Sequence, residues 1–159
     1  MRRFAVIASF LMVLVGALPV AVANVEENKP GYDTSRFKVE LTYPDDDRSQ
    51  LAMNDAAARE LKRADDTLNV IYNKVLVKYQ DDREFIAKYT AAEVAWIAFR
   101  DAHLDAVFPK EDKQAYGSTY PMVYRLYKAE LTWERVKQLN EWLADFPEGD
   151  AAAGSRRPE

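Results

Sequence analysis

The stretch that decides the fold is residues 95–102, which read AWIAFRDA. If this stretch is helical, Arg100 lies four residues after Trp96 and therefore on the same helix face. That face is otherwise apolar, so the sequence places a permanent positive charge on a stripe that should be buried. Such a charge either acts on a ligand or meets a buried partner, and the segment before it contains a candidate partner.

That segment, residues 51–79, repeats apolar residues at steps of three and four, which predicts one long amphipathic helix. Asp65, Asn69 and Tyr72 share its apolar face, because they are spaced i, i+4 and i+7. Asp65 is a natural partner for Arg100, since a guanidinium meets a carboxylate with two parallel hydrogen bonds. Asn69 and the Tyr72 hydroxyl are expected to accept from the remaining donors; the alternative is a functional site around Arg100. The predicted polar core, a structural tie between two helices, consists of Asp65, Asn69, Tyr72, Trp96 and Arg100.

Three helices are predicted. The first runs from about Asp46 to Gln80, with the aspartates 45–47 at its start. The second begins at a capping box, in which Asp81 is the N-cap and Glu84 is at N3, and it stops at Pro109. The third opens at Gly117-Ser118. The main apolar stripe predicted for the second helix is Phe85, Tyr89, Ala92, Trp96, Phe99, Arg100, His103 and Val107.

These elements predict an all-α fold, an up-down bundle of three main helices over residues 49–146. Residues 24–48 are predicted to form an extended acidic arm, because Phe37, Val39, Leu41 and Tyr43 alternate with polar residues. We expect this arm either to lay its apolar side on the helices or to stay mobile. Residues 147–159 have too few apolar groups to order themselves and are expected to form a disordered tail.

The first 23 residues have the three parts of a secretory signal peptide. Arg2 and Arg3 form a basic start, residues 4–18 are nearly all apolar, and residues 21–23 read AVA, a cleavage site of the A-x-A type. Cleavage before Asn24 would leave 136 residues with no second long apolar run. We therefore expect a periplasmic or secreted protein with no membrane attachment after cleavage; the alternative is a retained membrane anchor.

Composition excludes several classes of protein. The net charge is −4, or −6 without Arg2 and Arg3, and residues 49–146 carry sixteen acidic and fourteen basic side chains. A nucleic-acid-binding domain needs a basic face, so no nucleic-acid partner is expected. Since the chain has no cysteine, it has neither a disulfide framework nor a thiol nucleophile.

Catalytic machinery is not expected either. The single histidine, His103, has no HExxH context, and the adjacent carboxylates Asp65-Asp66 and Asp81-Asp82 point apart on a helix. No GxSxG motif and no phosphate-binding glycine loop occurs. We expect no enzyme activity, no cofactor and no metal.

Four motifs occur in order at residues 53–72, 95–102, 117–122 and 130–135. They read MNxxAxxxxxxADxxLNxxY, AWIxFRDA, GSxxPM and ELTxER. Their order and spacing over about residues 50–143 resemble the lysozyme inhibitor LprI N-terminal domain family. The resemblance implies a small, exported, helical protein that binds and inhibits lysozyme. The family pattern usually has cysteines where this chain has Ala56, Leu104 and Tyr127, so the resemblance implies a cysteine-free member.

A bundle buries its stripes, so partner contacts are expected from loops and exposed faces. The longest ordered loop is predicted at residues 109–118, PKEDKQAYGS. Its tyrosine is an amphipathic ring suited to an interface, and its acids suit a basic partner. The alternative is a solvated connection without a function. The predicted partner-binding residues are Glu111, Asp112, Tyr116 and Ser118.

Two functions follow from these expectations. The first is a periplasmic binding protein that binds and inhibits a lysozyme-like enzyme. The second is a cell-envelope interaction module with a partner other than lysozyme.

Overall fold

The computed structural model describes residues 37–39, 41, 42, 49–144, 153 and 154, and these contain α-helices and no strand. The predicted all-α bundle is therefore confirmed. The predicted signal peptide lies outside the described residues. No described helix is long and apolar enough to cross a membrane. The elements, in order, are α1 (Gln50–Lys78), α2 (Arg83–Val107), a 3-10 helix (Lys113–Tyr116), α3 (Tyr120–Asn140) and a second 3-10 helix (Glu141–Leu143).

Local side chains set where α1 and α2 begin. Ser49 is the N-cap of α1, and its Oγ accepts a hydrogen bond from the Ala52 N–H at 3.1 Å. The helix thus starts four residues later than predicted, and the acidic residues 45–47 lie outside the described part of the chain. The predicted N-cap Asp81 is also wrong by one residue. Asp82 caps α2, and its Oδ1 accepts from the Phe85 N–H at 2.9 Å.

The start of α3 differs from the prediction because a separate turn precedes it. Residues 113–116 form a 3-10 helix, and Gly117 follows with φ of +80°, a conformation that side-chain-bearing residues rarely adopt. The Gly117 carbonyl then accepts from the Tyr120 N–H at 3.2 Å. As a result α3 begins at Tyr120, with Pro121 in its first turn, where a missing N–H costs nothing.

α1 and α3 form the closest helix pair of the bundle. Ala57 and Ala64 on α1 and Ala129 on α3 are completely buried. Small side chains at these positions allow the two backbones to approach closely. α2 lies further out, and it reaches the other helices through long side chains such as Tyr89 and Arg100.

The core consists of two apolar clusters, one at each end of the bundle. Burying each large apolar side chain contributes on the order of 2 kcal/mol. Each helix also contributes one polar residue from the stretch between its two sets of cluster residues. These residues are Asp65 on α1, Arg100 on α2 and Thr132 on α3. The buried residues of the first cluster are Phe37, Ala57, Phe108, Met122, Val123 and Leu126. Those of the second cluster are Leu68, Val75, Tyr79, Tyr89, Val136 and Leu139.

The stripe predicted for α2 is partly wrong. Phe99 is 58 % exposed, and its ring lies 5.7 Å from that of the exposed His103. Ala92 is exposed as well. The helix is apolar on most sides, so periodicity locates its buried face poorly. The residues of α2 that are buried are Tyr89, Glu93, Arg100 and Leu104.

The predicted arm is described at five residues, and its apolar side contacts the helices. Phe37 is buried, and its ring meets that of Tyr127 edge-on at 4.9 Å. Val39 and Leu41 pack against the same cluster, which is the first of the two arrangements expected. Of the predicted tail, Ala153 and Gly154 are described, and Ala153 is buried; the rest lies outside the described residues.

Candidate functional site

The Arg100 guanidinium has three hydrogen-bonding partners among the described residues, Asp65, Asp101 and Thr132. Arg100 is 8 % exposed, and its Nη1 lies 3.5 Å from both Asp65 Oδ1 on α1 and Thr132 Oγ1 on α3. Its Nε donates to Asp101 Oδ1 at 3.1 Å. The guanidinium carbon also lies 5.1 Å from the centre of the Trp96 ring. Arg100 therefore joins all three helices.

Asn69 and Tyr72 do not take the remaining donors of Arg100. Asn69 is exposed, and the Tyr72 hydroxyl forms a hydrogen bond of 3.1 Å with Thr90 Oγ1. The expectation failed because Arg100 lies closer to its own neighbour Asp101 and to α3. Thr132, completely buried, supplies the oxygen from α3 while its hydroxyl donates to the Lys128 carbonyl at 2.8 Å.

Asp101 is held by two cations. Burial raises the pKa of its carboxyl, but hydrogen bonds from Arg100 and Lys128 lower it, and the net pKa lies below the ordinary value. The Lys128 Nζ lies 3.3 Å from the same oxygen that accepts from Arg100. This carboxylate therefore links the outer helix α2 to α3.

Sequence reasoning missed two buried carboxylates. Glu93 is 8 % exposed, and its Oε2 accepts from Arg135 Nε at 2.9 Å. Glu93 lies seven residues before Arg100, and this spacing was a signal that the two share a helix face. The second is Glu60, 7 % exposed, whose Oε1 accepts from Trp133 Nε1 at 2.8 Å. Arg63 adds two hydrogen bonds of 2.9 Å to the Glu60 carboxylate.

The backbone of the predicted partner-binding loop is held by hydrogen bonds from its own side chains. The Tyr116 hydroxyl accepts from the Lys110 N–H at 2.9 Å, and the Lys113 Nζ donates to the Phe108 carbonyl at 2.6 Å. Asp112 caps the 3-10 helix, since its Oδ1 accepts from the Gln114 N–H at 3.0 Å. The loop thus presents its exposed side chains from a fixed backbone.

The four predicted site residues differ in exposure. Glu111, Asp112 and Ser118 are exposed, whereas Tyr116 is half-buried. The Tyr116 ring meets that of Phe108 edge-on at 5.4 Å. Tyr116 therefore contributes to the packing of the loop as well as to its surface.

Tyr116 belongs to a row of rings that we call the tyrosine face, formed by Tyr116, Tyr120 and Tyr124. Successive ring centres are 5.5 and 5.7 Å apart, and all three residues are half-buried. They lie over the buried Phe108 ring, which contacts each of them at 5.2–6.0 Å. Burial raises the pKa of the Tyr120 hydroxyl, and the neighbouring Tyr124, Tyr116 and Asp105 raise it further, in that order. Asp105 thus lies within electrostatic reach of this face.

The fold and this surface define a class of protein: a small, cysteine-free helical bundle that offers an aromatic and acidic surface. A model of the family Lysozyme inhibitor LprI matches residues 44–139. The chain belongs to that family. No curated protein and no solved structure matches the chain.

The positions where the resemblance led us to expect cysteines are filled by packed side chains. Ala56 and Leu104 are buried, at 2 % and 0 % exposure. The Tyr127 ring is half-buried between those of Phe37, at 4.9 Å, and Phe108, at 5.8 Å. Apolar packing therefore occupies these three positions in the cysteine-free chain.

Proposed function

We propose that this protein is exported, binds a lysozyme or a lysozyme-like enzyme, and inhibits it without being an enzyme itself. The observation that carries the proposal is the family match over residues 44–139, which includes α1, α2, the loop that follows α2, and α3 except its last residue. The signal-peptide pattern of residues 1–23 supports the export.

The partner contacts are proposed to come from the tyrosine face and from the loop that begins it. Tyrosine rings contribute large contact areas at low cost in side-chain entropy, and they are enriched among the residues that dominate binding energies. Because the backbone of the loop is held by Tyr116, Asp112 and Lys113, little ordering remains to oppose binding.

The charges around the tyrosine face suit a basic enzyme. Asp105, Glu111 and Asp112 are all exposed there. Of the two neighbouring lysines, Lys113 donates to a backbone carbonyl, and the Lys110 Nζ lies over the Tyr116 ring at 5.5 Å. An acidic rim of this kind increases the association rate with a basic partner, such as a c-type lysozyme, and selects against acidic partners.

The proposal is tested by titrating residues 24–159 into an activity assay with a panel of lysozymes. We expect stoichiometric loss of activity for at least one basic lysozyme, and weaker inhibition at high salt, because surface charges are screened. Glu111→Lys should weaken the inhibition by about tenfold or more. Glu134→Lys is the matched control, since Glu134 is an exposed acid far along α3, and it should inhibit like the parent.

Two results would contradict the proposal. If no lysozyme is inhibited at any salt concentration, the inhibitor function is wrong, and an envelope interaction module with another partner describes the protein better. If inhibition occurs but Glu111→Lys and Glu134→Lys inhibit equally, the loop is not the contact surface.

A further inference from the structure

A cleft of about 450 Å³ lies at the end of the bundle opposite the tyrosine face, between the start of α2 and the end of α3. Its volume falls within the range of roughly 300–1,000 Å³ that is typical of small-molecule sites. Phe85, Tyr89 and Trp142 form its aromatic walls. The ring centres of Phe85 and Trp142 are 5.0 Å apart, edge to face, so these two apolar walls pack against each other.

Three hydrogen-bond donors of the lining have no acceptor within the described residues. Arg135 uses its Nε on Glu93 and its Nη1 on Gln138 Oε1, at 2.9 and 3.1 Å, and its Nη2 has no partner there. Lys88 is exposed and forms no ion pair with any described acid. The Tyr89 hydroxyl is buried without a hydrogen bond.

The acids of the lining do not use these donors. The Asp82 carboxylate caps α2 through the Phe85 N–H. Glu84 is exposed in the first turn of α2, where it complements the helix dipole. The lining carries two acids and two cations, so its formal charge is balanced, but the Tyr89 hydroxyl is a buried donor without a described partner, and buried donors are normally paired.

We propose that this cleft binds a small carboxylate carried on an apolar or aromatic group. The apolar group packs on Phe85 and Trp142, and the carboxylate accepts hydrogen bonds from Lys88, Arg135 and the Tyr89 hydroxyl. Arg135 is held for this role by its ion pair with Glu93 and its hydrogen bond to Gln138, which leave its Nη2 without a described partner. This site is distinct from the tyrosine face, so the proposal does not depend on lysozyme binding.

The test uses 3-phenylpropionate as the probe, with amide signals of the ¹⁵N-labelled protein of residues 24–159 and the Trp142 indole signal as the readout. We expect saturable shifts at residues 85–89 and at Trp142, with a Kd of about millimolar, which is ordinary for a ligand of this size. The neutral analogue 3-phenylpropanamide and the cation 2-phenylethylammonium should bind at least about tenfold more weakly. Acetate, which lacks the apolar group, should also bind more weakly.

Variants locate the contacts. Lys88→Gln should weaken binding of 3-phenylpropionate several-fold, whereas Lys74→Gln, at an exposed lysine of α1 outside this cleft, should leave it unchanged. Tyr89→Phe should weaken binding while the protein stays folded, since that change removes only an unpaired hydroxyl. The proposal is overturned if the amide or the cation binds as tightly as the carboxylate. It is also overturned if no shift saturates at these residues, or if Lys88→Gln or Tyr89→Phe binds like the parent.

Discussion

Glu93 and Arg135 form an ion pair of 2.9 Å that is almost completely buried, with side-chain exposures of 11 % and 15 %. The pair joins α2 to α3, and the Arg135 guanidinium lies 5.7 Å from the centre of the Trp96 ring. Arg100 lies over the same ring at 5.1 Å. In the middle of the bundle the outer helix is thus attached to the α1–α3 pair through two arginines and one tryptophan, and towards its ends through the two apolar clusters.

Replacing one member of this pair should lower the free energy of unfolding more than replacing both members. Glu93→Leu leaves the buried Arg135 without its carboxylate and should lower the free energy of unfolding by about 3 kcal/mol. In the double variant Glu93→Leu with Arg135→Met no charge is left uncompensated, so its loss should be smaller than that of Glu93→Leu alone. Urea unfolding of the three proteins measures this. A double variant less stable than the single one would show that the pair itself contributes net stability.

Arg100→Ala should destabilise the bundle by about 2 kcal/mol or more, because it removes charged hydrogen bonds to α1 and α3 and the packing on Trp96. The matched control is Arg83→Ala at the exposed start of α2, which should change stability by no more than about 0.5 kcal/mol. Urea midpoints of both variants give the comparison. Equally small effects would contradict the role of Arg100 as a tie between the helices.

Tyr89→Phe should stabilise the protein by about 1 kcal/mol, because it removes a buried hydroxyl that has no partner. Burial also raises the pKa of Tyr89, and the neighbouring Glu93 raises it further. In the unfolded chain the hydroxyl ionises near pH 10, so the stability of the parent should fall as the pH rises above about 10. The variant should lose less stability over that range. Urea unfolding between pH 8 and 11 tests this, and parallel curves for the two proteins would refute it.

Asp101→Asn should change how the stability of the protein depends on pH below about pH 4. The folded-state pKa of Asp101 is depressed, so its contribution is complete above the ordinary value of about 3.9 and is lost as the pH falls through the lower folded-state value. The variant lacks this contribution at neutral pH and should lose less stability between about pH 4 and pH 2. Thermal unfolding at these pH values provides the measurement, with Asp105→Asn, at another exposed acid of α2, as the control. An equal loss in parent and variant would contradict the assignment.

The number and order of the helices were predictable from the sequence, because three- and four-residue spacing and Pro109 leave strong signals. The Arg100–Asp65 approach followed from the same spacing. The predicted helix starts were less accurate. Asp81 and Asp82 are both good N-cap residues by type, and only the folded backbone shows that it is Asp82 whose carboxylate accepts from the Phe85 N–H. Gly117 was read as the start of α3, whereas its positive φ ends the preceding turn.

The buried carboxylates were not predicted, for a physical reason. Glu60 and Glu93 are ordinary surface residues by type, and they are buried because Trp133, Arg63 and Arg135 provide donors from elsewhere in the fold. The tyrosine face was not predicted either, because the residues of the loop were considered individually. The sequence does not show that Tyr116 continues into a row with Tyr120 and Tyr124, because that row depends on Phe108 lying beneath it.

The most direct test of the central claim is a chemical-shift map of the ¹⁵N-labelled protein with an unlabelled basic lysozyme that it inhibits. We expect a saturable complex, with the largest changes at residues 109–118 and at Tyr120 and Tyr124. Only small changes are expected on the outer side of α1 at residues 70–77. Changes concentrated on α1, or the absence of any complex with lysozymes at low salt, would contradict the central claim.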